Sequence, residues 1–376
     1  RLIFSAAFRR MQNKTQVFTL PGSVFVHNRL THSLEVSSVG RSLGADVAAL
    51  LQQRDSAAGE RTPEALGAIV SAACLAHDMG NPPFGHSGER AIRSFFAEGQ
   101  GREWEKMLPK SVWKDIVNFD GNANTFRLLT HQFNGHRAGG FVMTYATLAA
   151  IVKYPFASDC CHGKSKFGFF QSEAADFQRI AHELGLPNCA ASDESLRFAR
   201  HPLVYLVEAA DDICYQIMDL EDAHKLRLLS DEQAEVLLLD FFAPEARERL
   251  RSAYPMVTDA NDRMVYYRSS IINALERACV NIFVDNEAAI LAGTFEGSLI
   301  DHLPEPLLGA YQRCAALAKE KIYRSKEVMD VDLAGYHIIY TLLELMTEAV
   351  LAPQKAYSQM LLGMASKQYE LKAERL

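Results

Sequence analysis

The chain has no apolar run of about 18 residues or more, so no transmembrane helix is expected. Its 7 cysteines are scattered apart from the Cys160-Cys161 pair, no CxxC spacing occurs, and the count is odd. A disulfide framework is therefore not indicated, and reduced thiols in a cytoplasmic setting are the simpler expectation. No signal peptide is visible. The chain opens Arg1-Leu2-Ile3-Phe4 without Met, and residues upstream of Arg1 are expected. No GxxxxGKS/T phosphate loop, GxSxG nucleophile turn or HExxH helix occurs. No alternation of apolar and polar residues persists long enough for a central sheet, and no internal repeat is evident. Positive charge is also short: 39 Lys and Arg stand against 46 Asp and Glu, a net charge of -7. A broad basic nucleic-acid surface is not indicated. A chain of this charge that handles polyanions must place its cations locally or borrow the charge of a metal ion.

What is present is an ordinary globular balance, 48% hydrophobic and 23% charged, patterned for helices. From Ser33 to Gln53 the apolar residues Val36, Val39, Leu43, Val47, Leu50 and Leu51 recur at helical spacing. Pro63 and Glu64 open a second helix, running to about Asp78 and stopped by Gly80 with Pro82-Pro83 beyond. Residues 54–62 read as a loop. Pro202 starts a long helix, and further helices are expected near 231–243, 263–292, 306–322 and 332–351. The stretch 155–172 reads as a loop or short hairpin. The expected fold is all-α: a helical catalytic core over residues 1–225, with residues 226–376 as a helical extension packed on it as one structural unit.

The run from Ala76 to Glu89 carries the clearest chemistry. His77 and Asp78 are adjacent, Gly80-Asn81-Pro82-Pro83 breaks the helix, and His86 follows with Glu89 three residues on. An imidazole nitrogen beside a carboxylate oxygen suits Mn, Fe, Co, Ni or Zn, and Mg less well. His32 upstream and Asp211 downstream complete a set of His32, His77, Asp78 and Asp211, with room for water and substrate. By itself a His-Asp dipeptide is weak, since such pairs are more often surface or capping residues. Each further ligand found in order weakens that bland alternative.

Asp211, Tyr215 and Asp219 are spaced i, i+4, i+8, flanked by Glu208 and Asp222, so they share one stripe of a helix whose other sides are apolar. A solvated acidic face is the commoner use of such a stripe. A buried helix would instead require a cation or hydrogen-bond donors for its carboxylates. Asp212 lies about 100° around the helix and suits a structural hydrogen bond. Glu89 can orient the His86 imidazole and favour its protonated form; the alternative is that His86 only caps the turn. His131, His136, His162 and His182 have no ligand-like company and are given no role.

The order His, His-Asp, Asp is that of the HD phosphohydrolases. The surrounding words are more specific. Residues from Ala7 to Phe18, Arg29 to Val36, His77 to Glu89, Phe119 to Asn124 and Glu208 to Ala223 resemble the deoxyguanosine triphosphate triphosphohydrolases, the dNTPase branch. The likeness runs from near the first residue to about 225 and weakens beyond. One departure is Asp120, where that family more often has Glu.

The resemblance implies hydrolysis of a deoxynucleoside triphosphate, dGTP or dNTPs generally, to deoxynucleoside and inorganic triphosphate. It implies a divalent metal on His32, His77, Asp78 and Asp211, and a second ion, Mg²⁺, accompanying the nucleotide. His86 is then the general acid and Glu89 its partner. Arg29, Lys153 and Asn122 are phosphate contacts, with Tyr154 paired to Lys153 at the phosphates and sugar. Gln16 and Asp219 bind the 3′-hydroxyl, Tyr215 lies where a 2′-hydroxyl would collide, and Tyr336 approaches the base. A homo-oligomer, often a hexamer, and activation by a nucleotide or single-stranded DNA are further implications. Another HD hydrolase, such as a nucleoside monophosphatase or phosphodiesterase, and a non-catalytic nucleotide-sensing module stay open as alternatives.

Overall fold

Asn28 sets the start of the first long helix. Its Oδ1 accepts the Thr31 N–H at 2.9 Å, and Thr31 Oγ1 accepts the Asn28 N–H at 3.1 Å. This reciprocal cap satisfies donors that a helix start leaves open, so the helix begins at Arg29, ahead of Ser33 where the apolar spacing begins. The computed structural model describes residues 1–18, 26–54, 63–135, 138–161, 165–190, 196–252, 257 and 259–369. Most of the loop expected at 54–62, together with His136 and His162, lies outside them.

In chain order the helices begin with α1 (Ala6–Arg9), α2 (Arg29–Arg54), α3 (Pro63–Ala76) and α4 (Gly85–Ala97). Four shorter ones follow, α5 (Lys110–Val117), α6 (Gly121–Thr130), α7 (Tyr145–Ile151) and α8 (Ala174–Glu183). Then come α9 (Val204–Lys225), α10 (Asp231–Leu239), α11 (Pro244–Ser252) and α12 (Ala260–Asp285). The last are α13 (Glu287–Ala292), α14 (Leu307–Leu317), α15 (Lys326–Leu351) and α16 (Ala356–Met364). No strand occurs among the described residues, only the isolated bridges Thr15 to Asn28, Phe156 to Arg197 and Asn188 to Phe198. The protein is all-α. Among the described residues, no helix is long and apolar enough to cross a membrane.

By its contacts the chain divides into two compact units interleaved in sequence. The first gathers Arg1–Arg9, Asp78–Ala199 and Asp330–Leu376; the second gathers Arg10–His77 and Arg200–Met329. In the second unit α2 packs along α3 and α9, and α12 packs on α2 and α9. The periodic residues of α2, Val36, Val39, Leu43, Val47 and Leu51, are buried, as are Leu206, Ile213, Cys214 and Ile217 of α9. Burying each large aliphatic side chain is worth about 1.5–3 kcal/mol. Where α2 crosses α3 the backbones nearly touch: a Cβ on Gly44 would fall 2.9 Å from the Gly67 Cα.

The first unit is held by aromatic rings. Phe169 stacks on Phe177 with centroids 4.7 Å apart, while Phe126 and Phe198 meet Phe177 edge-on. Such pairs add about 0.5–1.5 kcal/mol each beyond burial. The stretch 155–172, expected as a loop or hairpin, contributes the 3-10 turns Ser158–Cys160 and Gln171–Glu173 and the buried rings Phe167, Phe169 and Phe170. All 7 cysteines are free thiols: Cys74, Cys160, Cys214, Cys279 and Cys314 are buried, Cys161 is half-buried and Cys189 is exposed.

Candidate functional site

In the second unit, α3 ends at Ala76 and the next residue turns its ring back onto the helix. His77 Nδ1 donates to the Cys74 carbonyl at 2.7 Å, one of the acceptors a helix C-terminus leaves open. A carbonyl only accepts, so Nδ1 carries a proton, and in the neutral ring Nε2 is the nitrogen left with the lone pair a metal would take. That Nε2 lies 3.5 Å from Asp211 Oδ1. His32, buried in the first turn of α2, brings its Nε2 to 3.0 Å from the same oxygen. Donor atoms of His32, His77 and Asp211 all lie within 4.8 Å of one another. Burial pushes the Asp211 carboxyl up, but the His77 and His32 imidazoles overcome it and hold the group well below the usual carboxylate range. Two imidazole nitrogens and a carboxylate oxygen converging in this way fit a divalent metal ion.

The α9 stripe continues from this cluster. One turn beyond Asp211, the Tyr215 ring stacks on Tyr323, with centroids 6.0 Å apart and planes at 18°. The Tyr323 hydroxyl donates to Asp219 Oδ2 at 2.7 Å. Asp219 is buried; desolvation raises its pKa to about 7 despite the Tyr323 hydrogen bond, with the Asp222 charge adding to the rise. Burial likewise pushes the Tyr215 hydroxyl up. The Arg29 N–H donates to the Lys14 carbonyl at 3.1 Å, and the Thr15–Asn28 bridge lies alongside. Gln16 follows, its Oε1 buried with no hydrogen-bond partner among the described residues. At the other end of the stripe, Glu208 accepts from Arg200.

In the first unit a strained turn presents His86. Phe84, at the start of α4, has φ 63° and Gly85 has φ 53°. The left-handed region costs a bulky residue about 1–2 kcal/mol. The His86 side chain is 77% exposed, and its Nδ1 lies 3.0 Å from Glu89 Oε2, on a side chain only 2% exposed. Glu89 Oε1 accepts the Gly121 N–H at 2.8 Å. Burial alone would raise the Glu89 pKa; the His86 hydrogen bond, the Lys166 charge and the Gly121 amide outweigh it and bring the value to about 2. Lys166 Nζ lies 3.9 Å from Glu89 and 3.2 Å from Asp120 Oδ2. Asp120 caps α6, its Oδ1 accepting the Asn122 N–H at 2.7 Å.

An HD-domain family model matches residues 29–116. A deoxyguanosinetriphosphate triphosphohydrolase-like protein of Pseudomonas aeruginosa is 42% identical over 359 residues, 93% of this chain and 79% of the relative. A protein of the same description from Synechocystis is 36% identical over 371 residues, covering 94% and 80%. A deoxyguanosinetriphosphate triphosphohydrolase of Yersinia enterocolitica is 30% identical over 418 residues, covering 99% and 80%. The chain belongs to this family of HD-domain proteins. Membership and the His32–His77–Asp211 cluster together support a metal-dependent phosphohydrolase.

The other residues that this family reading singles out fall as follows. Asp78 is the first residue of its segment of the first unit, and its Oδ1 accepts from the Asn81 side chain. Asn122 gives its side-chain amide to Asp120 Oδ1 at 2.7 Å. Lys153 Nζ sits 5.9 Å from the centroid of the Tyr154 ring. Tyr336 stacks on Tyr340, centroids 6.0 Å apart, and both line a cleft of about 300 Å³ with Ser94, Glu98 and His337. The backbone carbonyl of Asp212 accepts from the Tyr311 hydroxyl at 3.1 Å. Three residues that local spacing does not single out stand among the candidates. Tyr323 touches two residues of the α9 stripe, Lys166 neutralises a buried carboxylate pair, and His27 joins two more carboxylates. Asp219, Glu89, Asp120 and Asp222 lie too far along the chain from these residues for helical periodicity to register, and His27, though eight residues from Glu35, stands ahead of α2, off its helical pattern.

Proposed function

We propose that this protein hydrolyses deoxynucleoside triphosphates, dGTP or dNTPs generally, to the deoxynucleoside and inorganic triphosphate. The observation that carries the reading is the α9 stripe. Asp211 meets His32 and His77; Tyr215 and Asp219 follow on the same face, and Tyr323 stacks on one and binds the other. A metal-type cluster followed by a stacked tyrosine pair and a buried acid suits a phosphate ester of a sugar.

A divalent ion bound at His32, His77 and Asp211 supplies Lewis-acid stabilisation and a water of lowered pKa. Asp78 as a further ligand rests on the family resemblance. Arg29, Lys153 and Asn122 offset the triphosphate charge, and Tyr154 accompanies Lys153. Gln16 and Asp219 take the sugar 3′-hydroxyl: Gln16 Oε1, without a partner among the described residues, accepts a hydrogen bond, and Asp219 sits fixed by Tyr323. The Tyr215 ring excludes a 2′-hydroxyl, which is specificity by collision. His86, oriented by Glu89, gives its Nε2 proton to the departing 5′-oxygen.

Incubation with each dNTP and rNTP plus Mn²⁺ or Mg²⁺, resolving triphosphate from orthophosphate, tests the reading. Triphosphate from dNTPs is expected. Orthophosphate or a ring-opened monophosphate assigns a different HD hydrolase, and nucleotide binding without turnover assigns a sensing module. We also propose a cytoplasmic homo-oligomer, a hexamer by resemblance, activated by a nucleotide or by single-stranded DNA. Exposed Leu333, Ile338 and Leu342 on α15 support an assembly surface, and light scattering reports the mass. The division into a catalytic core, 1–225, and an extension, 226–376, is a proposal about where the chemistry lies; Tyr323 stands in the second range yet binds Asp219 in the first.

A further inference from the structure

His27 is buried, and both of its ring nitrogens face carboxylates. Nδ1 lies 2.9 Å from Asp222 Oδ1 and Nε2 lies 3.2 Å from Glu35 Oε1. The backbone N–H of the same residue donates to Asp222 Oδ2 at 2.8 Å. An ionised carboxylate only accepts, so an imidazole bonded to two of them must carry a proton on each nitrogen. The neutral ring could satisfy only one partner. Burial works against the charge, but Asp222 and Glu35 outweigh it and lift the His27 pKa to about 10. Among the described residues, the charged groups around it include Asp222 and Glu35 in contact, with Asp219, itself bonded to the Tyr323 hydroxyl, close enough to feel its charge.

The three partners lie on three pieces of the second unit. His27 stands just ahead of α2, Glu35 within α2, and Asp222 near the end of α9. The segment beside His27 is the one paired to Lys14 and Thr15 through the Arg29 N–H and the Asn28 bridge. Asp222 lies one helical turn beyond Asp219. One side chain thus joins the segment carrying Gln16 and Arg29 to the helix carrying Tyr215 and Asp219. We propose that His27 is a positioning residue: a buried imidazolium that latches the start of α2 at Asn28–Arg29, with Thr15 paired alongside it and Gln16 next in the chain, onto α9 through Asp222, with Glu35 of α2 holding its other nitrogen, and so sets the two sides of the proposed sugar site against each other. The latch stands on geometry alone; its consequence for the sugar rests on the dNTP-hydrolase reading.

Three measurements on the full chain test it, using Asp222→Asn, with Glu35→Gln as the second variant should the first not fold. Nitrogen-15 NMR of labelled histidine at pH 8 should show both His27 ring nitrogens at imidazolium positions in the wild type; a neutral ring overturns the latch. Amide exchange at Arg29 should speed up about tenfold in the variant, as expected when a charge-assisted hydrogen bond is lost; an unchanged rate overturns the latch whether or not the protein hydrolyses nucleotides. The preference for dGTP over 2′,3′-dideoxy-GTP, as a ratio of kcat/KM, should fall by about tenfold with metal content unchanged. An active enzyme whose ratio does not move removes the sugar role. A wild type with no dNTP turnover rejects the hydrolase reading, while the NMR and exchange results still decide the latch.

Discussion

Asp211 and Asp212 are neighbours with the same side chain, and their surroundings separate them. Asp211 points its Oδ1 between two imidazoles, whereas Asp212 turns a quarter-way round α9, where its carbonyl meets Tyr311. Asp211→Ala should therefore lose bound metal and activity together, and Asp212→Ala should keep most of its metal. Elemental analysis of both proteins distinguishes them, and metal loss confined to the Asp212 variant would transfer the ligand role. His86→Ala should lower kcat by about 10²–10⁴-fold with metal retained, the usual contribution of a general acid. The deficit should shrink on a p-nitrophenyl ester, whose leaving group needs less protonation; an undiminished deficit removes His86 from that role. His27 makes stability depend on pH. Its folded pKa, about 10, lies above the ordinary 6.5, so its contribution is complete below pH 6.5 and is lost as pH rises toward 10. The slope reaches at most about 1.4 kcal/mol per pH unit. Denaturant melts from pH 6 to 10 should show this decline in the wild type and a flatter curve in His27→Gln. At this scale the sequence displays what helical spacing can display: His86 with Glu89, and Asp211 in line with Tyr215 and Asp219. It cannot display Tyr323 on Asp219, or Lys166 between Glu89 and Asp120, because those pairs exist only once distant segments have packed.

Helix α2 carries His32 and the end of α3 carries His77, so the approach of these two helices sets the spacing of the cluster. Gly44 and Gly67 let them cross nearly backbone to backbone. Gly44→Ala puts a methyl 2.9 Å from the Gly67 Cα, and overpacking of this kind costs about 1–3 kcal/mol. A lower Tm together with weaker metal retention is expected; a variant with a lower Tm but full metal content would show that the cluster does not depend on this crossing. The presence of the long helices is legible from apolar periodicity, and their ends are less so. The 263–292 pattern runs through a break at Asn286, whose side chain donates to the Ile282 carbonyl at 2.8 Å and ends α12 there. The 231–243 pattern likewise runs past Leu239, and the chain restarts as α11 at Pro244. Periodicity reports which face is buried, while caps and prolines decide where a helix stops. The short helices α5 to α8 span too few turns for a stripe to stand out.

At the scale of the whole molecule, the interleaving of the units comes from long-range packing: the unit boundaries fall after Arg9, His77, Ala199 and Met329, and no composition shift marks them. The distribution of thiols has a practical outcome. Five of the 7 cysteines are buried, and burial pushes those of Cys74, Cys160, Cys214, Cys279 and Cys314 up, away from the reactive thiolate. Cys161 is half-buried and pushed up to about 11 by the same cause. Cys189 alone of the 7 is exposed. Brief treatment with a maleimide dye should therefore give one adduct per chain, on Cys189, as read by peptide mass spectrometry; comparable early modification of Cys161 would contradict it. This chain of 376 residues thus carries its own single-dye attachment point, and the photobleaching steps of one labelled particle would count the chains within it without any engineered residue.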